Sequence, residues 1–256
     1  MEVLMLLIST IILTIVMLFN FFGLVDIDIP ILHISIYWIS SILALSISLI
    51  IRRFYRNKYK KELMHSEDSP VLKENELFYQ SPIYIVDDIH IKIHGMNDTS
   101  WQPYFNNLVE KWLSILNFIS AFGISVISSQ HKVIVKRVKL WSLRPHYHVY
   151  VDKYKVGEFK MRRIIDGGIK QQTPYIFLDY KNHYYFNNPY FSTKTTIQEG
   201  NNDILLAHRS LFDLGKNLIT QRRGEKHYIT VLDTYDYPQE LWLALYTQVM
   251  LNKQKE

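Results

Sequence analysis

Two long apolar runs make up most of the N-terminal part of the chain. Residues 3–24 and 31–51 contain no Asp, Glu, Lys or Arg, and neither shows the polar stripe that a core helix of this length normally carries. Each run matches the roughly 20 residues that a helix needs to cross hydrocarbon. The first run also lacks the basic start and the small-residue cleavage site of a signal peptide. We therefore expect two transmembrane helices, joined by residues 25–30 in a tight antiparallel hairpin that exposes this loop outside the cell.

Short alternating segments dominate the chain from residue 123 to residue 232. These segments are rich in β-branched and aromatic residues, recur at intervals of about eight to twelve residues and are separated by turn-forming residues. Such spacing is typical of an antiparallel barrel or sandwich built from consecutive hairpins. The predicted strands are 133–141, 147–151, 157–161, 174–180, 183–186, 193–198, 203–209 and 227–232.

Residues 237–251 predict a helix that is apolar on nearly every side. Pro238 suits the first helical position, and Glu240 suits the first turn. A helix that is apolar on every side must be buried on every side, and this one is too short to cross a bilayer. The sequence therefore predicts a mainly β domain at residues 77–256, an antiparallel β-barrel wrapped around a hydrophobic C-terminal helix.

Residues 62–76 are polar and charged, and we interpret them as a linker between the membrane hairpin and the barrel. Residues 83–95 are strand-like, with partly alternating isoleucines. Residues 104–120 repeat apolar positions at helical spacing and predict an amphipathic helix. We expect its apolar face to pack on the domain core. The alternative is a helix lying on the bilayer surface, although its polar face holds one Lys and no Arg, which is little basic charge for that role.

Positive charge is concentrated directly after the second apolar run. Residues 1–51 contain no Lys or Arg, whereas the next ten residues contain six. By the positive-inside rule this cluster is cytoplasmic, which predicts a multi-pass cell-membrane protein with both termini in the cytoplasm. Each basic residue near an anionic leaflet contributes about 1 kcal/mol of attraction, so the cluster is a candidate lipid contact as well as a topology determinant. Its members are Arg52, Arg53, Arg56, Lys58, Lys60 and Lys61.

The rest of the chain is close to neutral. The net charge is +5, to which residues 1–51 contribute −3 and the cluster contributes +6, so +2 remains for residues 62–256. Nucleic-acid binding calls for a basic face on the domain itself, so we predict no nucleic-acid partner. A second basic patch for lipid or another anion could still form on the barrel, and the alternative is a set of ordinary solvated strand faces. The candidate residues are Lys136, Arg137, Lys139, Arg162 and Arg163.

Little in the sequence points to metal or catalytic chemistry. His146 and His148 share one face of a predicted strand and lie close enough to bind one ion. A zinc site needs at least a third ligand, and no nearby motif supplies one, so we expect a solvated hairpin face and no metal. The chain has no cysteine, which excludes disulfides, zinc-thiolate sites and thiol catalysis. No nucleophile elbow, P-loop, dinucleotide fingerprint or zinc-protease motif occurs, so we predict no catalytic residue and no cofactor.

Four segments between residues 123 and 251 follow one another as in a known family. They are YHVYVDKYKVGEFKMRR, PYIFLDYKNHYYF, DILLAHRSLFDLGKNL and HYITVLDTYDYPQELWLALYTQVML. In the first segment, Asp152 and Gly157 occupy the D and G positions of the hairpin pattern "Y-x-V-y-D, turn, v-G-x-f". This region resembles the tubby C-terminal-like superfamily, which includes the tubby domain, the LURP-one-related proteins and the phospholipid scramblases. The resemblance implies about twelve strands wrapped around one hydrophobic C-terminal helix.

The sequence thus predicts a membrane-anchored, non-catalytic protein whose barrel binds or senses lipid or protein at the cytoplasmic membrane surface. Its expected partners are the bilayer and either anionic lipids or a membrane protein. Two alternatives stay open. One is an enzyme that acts on a membrane-proximal substrate through the face of His146 and His148. The other is a small immunity or accessory subunit that works through its membrane hairpin, for which residues 1–61 should suffice.

Overall fold

The computed structural model contains four helices and twelve strands among its described residues. These residues are 2–24, 31–65, 72–73, 75–82, 89–115, 122–142, 144–163, 174–189, 192–210, 224–234 and 237–253. The helices are α1 (Glu2–Phe21), α2 (Ile31–His65), α3 (Leu108–Ile115) and α4 (Gln239–Lys253). The predicted hairpin loop at 25–30, residues 66–71 and 74 of the predicted linker, and residues 83–88 of the predicted strand at 83–95 lie outside the described residues.

Helices α1 and α2 pack together through polar side chains and leave their apolar side chains outside. Thr10 and Ser41 are buried between the helices, with their Oγ atoms 2.5 Å apart. Trp38 donates its indole N–H to Thr14 Oγ1 at 3.0 Å. Most described apolar side chains on both helices are exposed. Polar contacts between helices with apolar side chains around them are the arrangement seen in lipid-embedded helices.

One N-terminal helix is long and apolar enough to cross a membrane. This segment of α2 is Leu32–Lys58, and the apolar described part of α1, Ile8–Phe21, is shorter. By length, composition and position, such a helix could serve as a membrane span or as a signal sequence. Helix α2 continues to His65, so the basic cluster and the first four residues of the predicted linker are helical.

The twelve strands form one antiparallel sheet that curls into a nearly closed barrel. The order is β1-β12-β11-β10-β9-β8-β7-β6-β5-β4-β3-β2, so all neighbours from β2 to β12 are consecutive in the chain. The two edges meet where Phe78 and His94 exchange backbone hydrogen bonds of 2.9 and 2.7 Å. The strands are β1 (Glu76–Gln80), β2 (Ile91–Lys92), β3 (Ser100–Tyr104), β4 (Gly123–Ile127), β5 (Lys132–Arg137), β6 (His146–Val151), β7 (Tyr154–Met161), β8 (Tyr175–Leu178), β9 (His183–Asn187), β10 (Lys194–Glu199), β11 (Asn202–Arg209) and β12 (Lys226–Val231).

Helix α4 lies inside this barrel, as its apolar sequence predicts. Every residue from Glu240 to Asn252 is buried. Trp242 packs against the rings of Tyr184 and Phe177, with centroids 4.8 and 6.2 Å away. The eight strands predicted between residues 133 and 232 are also confirmed, to within a few residues at their ends.

Polar side chains at the two ends of α4 bind partners on a loop and on two strands of the barrel. At its start, Glu240 accepts a hydrogen bond from the hydroxyl of Ser128 at 2.6 Å. At its end, Asn252 donates to Tyr175 Oη at 2.7 Å and accepts from the hydroxyl of Tyr147 at 3.0 Å. Because a buried polar group without a partner costs free energy, these bonds fix how far α4 is inserted and how it is rotated.

We expect the change Trp242→Ala to lower the free energy of unfolding by about 3–5 kcal/mol, because it leaves a cavity at the centre of the barrel. Guanidinium denaturation of the full chain in detergent, followed by near-UV circular dichroism, measures this loss. Trp141→Ala is the matched control, since Trp141 is 76% exposed and its removal should change stability by less than about 0.5 kcal/mol. Equal losses for the two changes would contradict the buried position of α4.

Candidate functional site

The start of α3 is fixed by hydrogen bonds that bury its polar side. Asn107 caps the helix, because its Oδ1 accepts the backbone N–H of Glu110 at 2.8 Å. The Glu110 carboxylate in turn accepts the backbone N–H of Asn106 at 2.7 Å and its Nδ2–H at 2.8 Å. This reciprocal pattern is close to a capping box. Glu110 and, one turn later, Ser114 are consequently both buried.

The apolar side of α3 is therefore exposed. Leu108, Val109 and Trp112 are 73%, 61% and 52% exposed. The prediction that the apolar face packs on the core is wrong for these three residues. Their spacing shows that they share a face, but the buried cap at Glu110 decides which way that face points. Residues 116–120 of the predicted helix lie outside the described residues.

Arg137 holds α3 against the loop that follows β5. Its backbone carbonyl accepts a hydrogen bond from Asn106 Nδ2 at 2.9 Å. Its guanidinium donates to the carbonyls of Lys139 at 3.0 Å and Ser142 at 3.1 Å. Arg137 is only 3% exposed, so its placement on a solvated basic face was wrong. The side chain points into the protein because it satisfies the carbonyls of a tight loop, and it positions two neighbouring segments.

The loop held by Arg137 also exposes apolar side chains. Trp141 is 76% exposed and Val138 is 38% exposed. We call the exposed apolar side chains of α3 and this loop the tryptophan surface. Its members are Leu108, Val109, Trp112, Val138 and Trp141. The hydrogen bond from Asn106 to the Arg137 carbonyl joins the two segments that carry these side chains. Exposed apolar side chains on adjoining segments often mark a contact with a membrane or with another molecule.

The chain segment that contains the tryptophan surface has a positive net charge. Residues 99–151 contain six basic residues and one acidic residue, Glu110, whose carboxylate is buried in the α3 cap. This stretch therefore carries +5, whereas the whole of residues 62–256 carries +2. The net charge of the whole domain therefore does not show that this stretch is more basic than the rest. The basic residues are Lys111, Lys132, Lys136, Arg137, Lys139 and Arg144.

The other predicted basic residues of the barrel lie near the same end. Strands β5 and β7 run in the same direction on either side of β6, so the segments after both strands leave the barrel at one end. Lys139 is exposed in the first segment, and Arg163 is exposed in the second. Lys136 is half-buried on β5. Arg162 lies over the ring of Tyr185, with its guanidinium carbon 5.1 Å from the centroid.

The basic cluster of the sequence lies on α2, beyond its most apolar part. Ten helical residues extend over about 15 Å, so the cluster covers a short axial distance next to the apolar segment. Among its members with described side chains, Arg53, Lys58 and Lys61 are exposed, and Arg56 is half-buried. Arg52 and Lys60 lie on the same helix.

The two histidines of β6 share their face with an acidic residue of the next strand. His146 and His148 direct Nε2 atoms to the two carboxylate oxygens of Glu158 on β7, at 3.3 and 3.5 Å. Lys155 Nζ lies 3.0 Å from Glu158 Oε1. Glu158 is the third potential metal ligand that sequence reasoning missed. The register that pairs His148 with Glu158 includes a β-bulge, which spacing along the sequence does not show.

A second histidine is buried inside the barrel. His227 has no exposed surface, and its Nδ1 lies 3.0 Å from Tyr246 Oη on α4. Its ring stacks on Tyr79 at 4.5 Å. Burial lowers the pKa of His227 to about 4. The neutral ring packs in the core, next to the ion pair of Arg209 with Glu225 at 2.8 Å, which indicates a structural role.

The chain matches no protein-family model, and searches of curated proteins and of solved structures find no significant match. The geometry of the described residues is therefore the basis for assigning a function.

We expect the free energy of unfolding to fall as the pH is lowered from 6.5 to 4. The pKa of His227 is about 4 in the folded chain and 6.5 in the unfolded chain. Between these values the unfolded chain binds a proton that the folded chain does not bind, so stability rises with pH and is fully present above 6.5. The slope from this one group is about 1.4 kcal/mol per pH unit.

Guanidinium denaturation at several pH values, followed by tryptophan fluorescence, measures this slope. His227→Gln should be less stable at pH 7 and should show a flatter pH dependence than the parent chain. His208→Gln, at an exposed position, is the control and should keep the parent slope. The explanation fails if His227→Gln and the parent have the same slope.

Proposed function

We propose that this protein is a two-span membrane protein whose barrel docks through the tryptophan surface on anionic lipid at the cytoplasmic face of the membrane. Its role is binding or sensing rather than catalysis. The observation that carries this proposal is the exposure of Trp112 and Trp141 within a stretch of the barrel domain, residues 99–151, that carries a net charge of +5.

The N-terminal helices support the membrane part of the proposal. Helices α1 and α2 contact each other through polar side chains and expose apolar side chains on their outer surfaces. This arrangement suits helices surrounded by lipid. The six basic residues at the end of the apolar segment of α2 support a cytoplasmic position for that end, by the positive-inside rule. The barrel follows on the same side, and both chain ends are cytoplasmic.

The chemistry of the tryptophan surface favours lipid as its occupant. Tryptophan partitions to the interface between hydrocarbon and water, where its ring is apolar and its N–H remains hydrated. Lys139 and Arg144 are exposed in the same loop as Trp141, and no exposed acidic residue occurs in the described part of 99–151. Attraction of these cations to an anionic leaflet adds to the burial of the apolar side chains.

The connection between α2 and the barrel is long enough for this contact. Ten residues separate His65 from Glu76, and a chain of that length spans at most about 35 Å. A six-residue strand such as β5 is about 20 Å long. The barrel can therefore turn so that α3, at the opposite end from the start of β1, reaches the bilayer that holds α2.

The fold supports a relation to the tubby C-terminal-like superfamily as part of the proposal. Twelve strands around a buried C-terminal helix are the arrangement that the resemblance implies. The hairpin that carries the family pattern also forms here, with positive φ angles at Asp152 (48°) and Lys153 (76°) in its two-residue turn. The β-bulge and the close approach of Gly157 to the Leu178 carbonyl fit the glycine in that pattern.

Single labelled cysteines test the proposed contact, because the chain has no cysteine of its own. The full chain with Trp112→Cys is labelled with an environment-sensitive fluorophore and reconstituted in vesicles. One set of vesicles contains phosphatidylcholine alone, and the other contains phosphatidylcholine with phosphatidylglycerol. We expect a blue shift of the emission in the anionic vesicles at low salt, and its loss at high salt.

A label at Asn201→Cys is the control, because Asn201 lies in an exposed turn at the opposite end of the barrel and should report water in every vesicle. Water-like emission from the label at residue 112 in all vesicles would exclude lipid as the occupant. The tryptophan surface would then be assigned to a protein partner.

The combined change Lys139→Gln and Arg144→Gln should weaken the contact. Two cations at about 1 kcal/mol each correspond to a roughly 30-fold smaller docking equilibrium constant. The measurement is the phosphatidylglycerol fraction that gives a half-maximal blue shift of the label at residue 112. Lys153→Gln with Lys181→Gln removes two exposed cations at the opposite end and should leave this fraction unchanged. Equal effects of the two pairs would show that overall charge, and not this surface, sets the contact.

A further inference from the structure

The outer face of the β6–β7 hairpin brings three metal-ligating side chains together. His146 and His148 lie on one face of β6 because they are two residues apart, and Glu158 lies beside His148 on β7. One ligand atom from each residue lies within 4.8 Å of the other two. The imidazole rings are nearly perpendicular, at 86°, with centroids 5.7 Å apart. Both rings therefore direct a nitrogen to the same carboxylate without stacking on each other.

We propose that His146, His148 and Glu158 form a binding site for a divalent transition-metal ion such as Zn²⁺. Ligands at about 2.0–2.1 Å from a tetrahedral zinc ion are about 3.4 Å from one another. The measured distances from the Glu158 oxygens to the two Nε2 atoms are 3.3 and 3.5 Å. These values exceed the usual range for a nitrogen–oxygen hydrogen bond, about 2.7–3.2 Å, and each is close to the separation of two zinc ligands. Each nitrogen faces its own oxygen of the carboxylate, Oε2 for His146 and Oε1 for His148.

The chemical types of the three ligands also suit a transition-metal cation. Two imidazole nitrogens and one carboxylate oxygen favour Zn²⁺, Co²⁺ or Ni²⁺ over Mg²⁺ and Ca²⁺, which prefer oxygen ligands.

The site is accessible from solvent. The side chains of His146, His148 and Glu158 are 32%, 30% and 37% exposed, so an ion can enter without rearrangement of the barrel. Three protein ligands leave a fourth tetrahedral position for water. The third ligand comes from the strand register, so this proposal replaces the expectation that the hairpin face is only solvated.

Lys155 provides a further test of the proposed metal site. Its ammonium group lies 3.0 Å from Glu158 Oε1, on an oxygen that the ion needs, and its charge repels a dication. Binding must displace it. Removing this ammonium group as Lys155→Met should therefore tighten metal binding, by about tenfold, if the loss corresponds to about 1.4 kcal/mol. A hydrogen-bonded cluster that binds no metal would show no such increase in metal affinity.

The test uses the full chain in detergent without a histidine tag. Titration with Co²⁺, followed by its visible absorption, reports the ligand geometry, and titration calorimetry with Zn²⁺ reports the stoichiometry. We expect one ion per chain in the parent. Glu158→Gln and His148→Ala should each weaken binding at least tenfold, and Lys155→Met should strengthen it. His183→Ala and His208→Ala, both at exposed positions, are the matched controls and should bind as the parent does.

Circular dichroism shows whether each variant is folded, so a loss of binding can be assigned to the missing ligand. The proposal is overturned if the double change His146→Ala and His148→Ala binds as many ions with the same affinity as the parent. It is also overturned if Lys155→Met binds no more tightly than the parent, because the ion would then lie away from Glu158.

Discussion

The enclosure of α4 by the barrel is the constraint on which the rest of the structure depends. A helix with apolar side chains on every side is stable in water only where a wall covers it all round. Twelve consecutive antiparallel strands provide that wall, and the contact of Phe78 with His94 brings its two edges together. Because α4 and the aromatic rings around it fill the axis of the barrel, ligand binding is most readily assigned to the outer surface.

On that outer surface, the contacts of one buried arginine give the protein its most distinctive feature. Arg137 joins α3 to the loop after β5, and the cap at Glu110 turns the polar side of α3 inward. Trp112 and Trp141 are therefore exposed because the hydrogen bonds of Glu110 and Arg137 turn the polar side of α3 and the guanidinium inward. Burying a charged side chain is costly unless it is paired and hydrogen-bonded, so the position of the tryptophan surface is fixed by strong local preferences.

The sequence predicts the fold well because its main signals are local. Alternation over four to eight residues marks a strand, and an apolar helix without a polar side marks a buried centre. Strand β3 was missed because it contains Pro103, which normally argues against a strand inside a sheet. It also ends at Tyr104, where the helical periodicity begins.

The functional surfaces were much less predictable from the sequence, because they depend on the orientation of helices and on the register in which strands pair. Periodicity cannot show that α3 has its apolar face outward, since the cap at Glu110 depends on contacts with a strand thirty residues away in the sequence. The third ligand beside His146 and His148 depends on a register with a β-bulge. Arg137 shares the buried face of β5 with Val133 and Val135, so alternation along the strand was a signal for its burial. The loop carbonyls that it binds were not visible in the sequence.

Hydrogen exchange of the full chain in lipid nanodiscs tests the central claim most directly. The backbone amides of α3 and of residues 138–142 are compared between neutral discs and discs that contain phosphatidylglycerol. The account predicts slower exchange in these two segments in the anionic discs alone, with no change in β10 and β11. Equal exchange in both kinds of disc would contradict it and would show that the tryptophan surface does not contact lipid.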